Sequence, residues 1–95
     1  MDILHVDLHV RPNATQALEK TFRDVFRPAI SAQEGFMEVG LLPSRSQADH
    51  YRLVIKFASE PLRLKWVATE LHQQVWPALE GHCLDYGAES FDAGS

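Results

Sequence analysis

Residues Asp2 to Val10 alternate, with Leu4, Val6, Leu8 and Val10 on one side and His5, Asp7 and His9 on the other. A period of two sends successive side chains to opposite faces of a pleated ribbon, so this run is a strand with one core face and one polar face. Such a strand needs neighbours to pair with and a layer to cover its apolar side. The rest of the chain offers both.

Arg11-Pro12 ends the strand, because proline cannot donate to a ladder, and Asn13 followed by Gln16 reads as a capping box opening a helix. That helix is expected to run to about Ala32 on an apolar stripe of Leu18, Phe22, Val25, Phe26, Ala29 and Ile30, with Pro28 kinking its last turns. Glu34-Gly35 stops it, since glycine takes the left-handed conformation that closes a helix. Phe36 to Pro43 reads as a second strand and Tyr51 to Ala58 as a third, joined as a hairpin through the polar segment 44–49. Ser59-Glu60-Pro61 then opens a second helix with a stripe of Leu62, Trp66, Val67 and Leu71, and Pro77 predicts a break near Val75. Gly81 ends this helix, His82 to Phe91 supplies a last strand, and 92–95 is expected to fray.

The order strand, helix, strand, strand, helix, strand over 95 residues, with no internal linker or repeat, is one α+β domain spanning 1–95. It is a ferredoxin-like βαββαβ unit with an antiparallel sheet. Two helices cover one face of such a sheet. The other face, with His5, Asp7 and His9 beside Arg52, Val54 and Lys56, would be covered by the sheet of an identical chain.

Composition removes several functional classes. Thirteen acidic residues against nine Lys and Arg give a net charge of -4, which offers no general attraction to nucleic acid. No apolar run reaches the ~20 residues that cross a bilayer, and the start of the chain lacks signal-peptide character, so a cytoplasmic protein is expected. Cys83 stands alone and has no partner for a disulfide or a CxxC pair.

Several short segments together resemble the antibiotic biosynthesis monooxygenase family of the dimeric α+β barrel superfamily, over essentially the full length. They are Val10-Arg11-Pro12 leading into the first helix, Ala32-Gln33-Glu34-Gly35-Phe36, the third strand with its helix cap over Tyr51 to Ser59, and the helix from Trp66 to Trp76 with His72 inside it. The resemblance implies a homodimer whose two sheets close into a barrel, with a ligand cleft between helices and sheet in each subunit. It also implies oxidation of a small aromatic phenol, quinol or anthrone by dioxygen with no metal or flavin cofactor. A related branch degrades haem, using an asparagine on strand one and a histidine late in helix two. This chain has Val6 near the first of those positions and Trp76 near the second, and Ile55 where an acidic residue is common on the third strand.

In that architecture the cleft is lined by Val6, Phe22, Phe26, Phe57, Trp66 and Trp76, a set that also serves any helix-on-sheet core. Cofactor-free oxidation needs a base to form the phenolate or carbanion that meets oxygen, and a group to hold the developing charge. His72 is the candidate base and Trp66 its catalytic companion, against the alternative of a solvent-facing histidine. On a regular helix, six residues turn 600°, which leaves Trp66 and His72 on different faces.

His5-x-Asp7-x-His9 places three potential ligands about 7 Å apart on one side of a strand. A polar network with Arg52, Lys56 or Glu38 is the reading adopted, which assigns no metal. His50 and His82, beside turns, are expected to face solvent. A non-enzymatic ligand-binding or regulatory protein on the same scaffold is the alternative function.

Overall fold

The structure, a computed structural model, describes residues 1–94. Strands β1 (Asp2–Val10), β2 (Phe36–Pro43), β3 (His50–Phe57) and β4 (Cys83–Asp92) form one antiparallel sheet in the order β2-β3-β1-β4. This is the ferredoxin-like arrangement expected from the order of elements. The expected hairpin joins β2 to β3.

The period-two register decides the core. Leu8, Val10, Leu53 and Phe57 are buried on the inner face, as are Val6, Tyr51 and Ile55. Each large apolar side chain removed from water here contributes roughly 1.5–3 kcal/mol. His5, Asp7, Arg52 and Lys56 lie on the outer face, where Arg52 Nε donates to Asp7 Oδ1 at 2.8 Å and Lys56 pairs with Glu38 at 2.8 Å.

The first helical region differs from its sequence expectation in three places. Asn13 adopts φ 67°, so Ala14 takes the cap position before α1 (Thr15–Thr21) and no capping box forms. A π-helical turn over Phe22–Phe26 separates α1 from α2 (Arg27–Ser31), and its closing bond runs from the Arg27 N–H to the Phe22 carbonyl. Pro28 explains the location: its ring crowds the carbonyl four residues back and it has no N–H to offer, so the preceding turn widens. The wider turn keeps Leu18, Phe22, Phe26 and Ile30 in the core but carries Val25 outward, to 40% exposure.

Gly35 sits at φ 80°, and a Cβ there would come within 2.5 Å of Leu62 Cδ1. The helix stop is therefore also a packing contact. It seats α3 (Glu60–Val67) close against the start of β2.

The second helical region breaks at Ala68-Thr69, not near Val75, and restarts as α4 (Glu70–Glu80) with Pro77 inside it. One hydroxyl holds both ends: Thr69 Oγ1 donates to the Trp66 carbonyl at 2.7 Å and accepts from the His72 N–H at 3.1 Å. The hydroxyl thereby caps a free amide of α4 and adds a second bond to the Trp66 carbonyl, which also accepts from the Thr69 N–H at 3.0 Å. The restart turns Leu71 away from the core, leaving it 39% exposed instead of on the expected stripe.

β4 is one of the two edge strands, opposite β2, and after Cys83 its residues are exposed. It extends through Asp92, and the Ala93 N–H donates to the Met1 carbonyl at 2.9 Å. Ser95, the end of the segment expected to fray, lies outside the described residues.

Candidate functional site

Between the inner face of the sheet and α3 and α4 lies a mostly apolar pocket of about 140 Å³, open on one side. Leu4 and Val6 of β1 and Leu53 and Ile55 of β3 form its floor. Phe26 of the π turn and Trp66, Val67, His72 and Trp76 of the helices form its walls, and Tyr86 and Ala88 of β4 close one side.

Val6, Phe26, Trp66, His72 and Trp76, named from the sequence, meet at this pocket, whereas Phe22 and Phe57 do not line it. Phe57 is fully buried against Phe36, ring centroids 6.0 Å apart, and Phe22 borders a separate surface cleft with Glu19 and Tyr51. Both are core residues, holding the helical layer on the sheet.

Trp66 and His72 stand edge to face, with ring centroids 5.1 Å apart and planes at 85°. A regular helix would separate them; the break at Thr69 brings them together. Trp66 is 2% exposed and also meets Phe26 edge-on at 6.3 Å. Trp76 meets Tyr86 in the same manner at 5.1 Å. These T-shaped contacts fix the aromatic walls in orientation.

Burial lowers the pKa of His72 below the ordinary histidine value, so the imidazole is neutral at pH 7. The Gln73 side-chain amide is 3.5 Å from its Nδ1, too far to fix a tautomer firmly. A neutral, half-buried imidazole at the edge of an apolar pocket can take a proton from a bound hydroxyl.

Arg63 was not marked by the sequence reading, yet it lines the same pocket. Its Nε donates to Asp2 Oδ2 at 2.6 Å, and the two side chains are only 11% and 3% exposed. The signal lay in the alternation itself: Asp2 occupies the core side of β1, and a buried carboxylate requires a partner.

The other histidines have local partners. His9 stacks on His50 at 4.4 Å and its Nδ1 is 3.4 Å from Asp85 Oδ2, while His5 packs on Phe91 at 4.9 Å. No cluster of three metal-ligating side chains occurs among the described residues. His50 and His82 are partly buried rather than solvent-facing, and His82 Nε2 hydrogen-bonds Thr21 Oγ1 at 2.9 Å. No helix among the described residues is long and apolar enough to cross a membrane.

The family model for antibiotic biosynthesis monooxygenases matches residues 1–76, which includes the strands of the pocket floor and the Trp66–His72 pair. The chain belongs to the antibiotic biosynthesis monooxygenase family. Among solved structures, this family member is similar to a Caulobacter crescentus protein described provisionally as an antibiotic biosynthesis monooxygenase, with TM-score 0.87 and 19% identity over 99% of this chain and 90% of that one. It is similar also to SnoaB, a cofactor-independent oxygenase from Streptomyces nogalater, with TM-score 0.85 and 18% identity over 99% of this chain and 94% of that one. At these identities the likeness establishes the fold. No curated protein gives a significant match.

Proposed function

We propose that this family member is a cofactor-independent monooxygenase that oxidises a small aromatic phenol, quinol or anthrone with dioxygen, as a single domain over 1–95 assembled into a cytoplasmic homodimer. The observation that carries the reading is the neutral His72 held edge-on to Trp66 at the wall of an aromatic-lined pocket. Val6, Phe26 and Trp76 contact the ring of the substrate, while Phe22 and Phe57 support that wall from the core. A cavity of about 150 Å³ lined by apolar side chains holds a benzene molecule, so a pocket of about 140 Å³ encloses one ring and leaves any further rings toward its open side. Haem chemistry is not part of the proposal, because Val6 and Trp76 stand where the haem-degrading branch has its asparagine and histidine.

In the reaction, His72 accepts the hydroxyl proton and leaves an electron-rich phenolate. That anion supplies the electrons for dioxygen. For a phenol oxidised to a quinone, one oxygen atom becomes the new carbonyl and the other leaves as water, with the displaced ring hydrogen and the hydroxyl proton. Trp66 and Trp76 hold the ring and keep bulk water from it.

Oxygen consumption by metal-stripped protein, measured against a panel of quinols, anthrones and naphthols and corrected for autoxidation, tests the proposal. Saturable uptake is expected, lowered about 100-fold or more in kcat by His72→Gln. Stoichiometric binding without oxygen uptake across the panel would transfer the assignment to a ligand-binding or regulatory protein.

A further inference from the structure

Of the residues lining the pocket, only Arg63 carries a charge at neutral pH, and the desolvation of its head is offset by the ion pair with Asp2. The guanidinium has five N–H donors in a fixed plane. Asp2 takes the Nε–H at 2.6 Å, and Glu60 Oε2 lies 3.7 Å from Nη2, beyond hydrogen-bonding range. The Nη1 and Nη2 donors have no hydrogen-bond partner among the described residues, and no buried side-chain nitrogen or oxygen among them is left unsatisfied. Those donors are therefore not sealed in the protein interior, and Arg63 is itself a lining residue of the pocket.

Asp2 and Arg63 form an oriented pair. The carboxylate is 3% exposed at the start of β1, and its partner Arg63 also lines the pocket. Arg63 thus brings a cation to the border of a mostly apolar chamber, where a charge-assisted hydrogen bond gains most. α3 delivers Arg63 and Trp66 three residues apart, so they lie on neighbouring positions of one helix face.

We propose that Arg63 is a substrate-binding residue that holds an anionic oxygen on the aromatic ring, so the pocket selects phenolates over ring compounds without an ionisable oxygen. This rests on the oxygenase reading for its substrate class but not for its test. It divides the work at the site: His72 takes the proton and Arg63 holds the charge left behind.

The test is binding, without turnover. The protein is titrated with 4-nitrophenol, whose absorbance reports ionisation, and with nitrobenzene, which has the same ring and nitro group but no hydroxyl oxygen. The wild type is expected to bind 4-nitrophenolate at least tenfold more tightly than nitrobenzene and to lower the pH at which the bound phenol ionises. Arg63→Lys should keep part of that preference. Because Arg63→Gln alone leaves Asp2 buried without its cation, the decisive variant is the double substitution Asp2→Asn with Arg63→Gln, which replaces the ion pair by neutral hydrogen-bonding groups. It should bind both probes alike. A wild type with no preference, one that binds neither probe, or a double variant whose preference is undiminished overturns the assignment. Oxygen uptake with an unchanged KM in the double variant would remove Arg63 from the site and leave the oxygenase standing. Phenolate preference without oxygen uptake on any substrate would do the reverse.

Discussion

His72 is tied to its surroundings by burial more than by hydrogen bonding, and that makes its protonation a reporter of the folded site. In the unfolded chain it titrates near 6.5, and desolvation moves the folded value lower. Between those two values the unfolded chain binds more protons than the folded one, so stability is full above about pH 6.5 and falls as the pH drops toward the folded pKa. Below the folded value the contribution is lost and the slope ends. Replacing His72 with glutamine removes this contribution while leaving those of the other histidines. Thermal midpoints measured from pH 7.5 to 5 should fall more steeply for the wild type than for His72→Gln. Parallel curves would show that His72 is as well solvated when folded as when unfolded, and would weaken its selection as a base.

At the scale of elements, the decisive feature is the break between α3 and α4, because it converts a sequence separation that a regular helix would splay into a 5.1 Å ring contact. Thr69 holds the break through two hydrogen bonds from one hydroxyl. Thr69→Ala should therefore cost about 1 kcal/mol in urea unfolding, the ordinary worth of an N-terminal cap, while Thr69→Ser restores most of it. Substrate turnover should fall with the alanine variant as Trp66 and His72 lose their fixed relation. Unaltered stability in Thr69→Ala would mean that packing alone sets the break. Much of this architecture was legible from the sequence. The alternation in β1 and β3 gave the core face, and Gly35 marked the helix stop, because those signals are local and repeat with the geometry of the element. Pro77 misdirected the reading of the second helical region for the same reason. Its local preference for a break was overridden by tertiary packing, and Thr69 became decisive only once both helices lay on the sheet. The Asp2–Arg63 pair joins residues 61 apart in sequence, so its partner could be demanded by the pattern but not chosen by it.

The whole molecule has one finished face and one unfinished one. The helices cover the inner side of the sheet, while the outer side mixes paired charges such as Asp7–Arg52 with Val54 at its centre and exposed Leu42 and Phe91 toward its edges. β4 adds a long, exposed edge strand. A second copy laid sheet to sheet would cover these apolar groups, and it would let charged pairs that are worth little in open solvent act at an interface where water is scarcer. Val54 lies opposite His5 on β1 and Gly40 on β2, away from the pocket, so its substitution reads assembly rather than chemistry. Val54→Lys would place two ammonium groups, one from each copy, near the centre of the interface, at a cost of about 3 kcal/mol or more. That corresponds to roughly a 100-fold weaker dimer. Sedimentation equilibrium should find a wild-type dimer and a variant that dissociates at micromolar concentration with an unchanged circular dichroism spectrum. A monomeric wild type, or a variant that stays dimeric, would place the partner elsewhere than on the outer sheet face. If the dimer dissociates while phenolate binding persists, the pocket is complete within one chain; if both are lost together, the second copy shapes the pocket mouth beside β4.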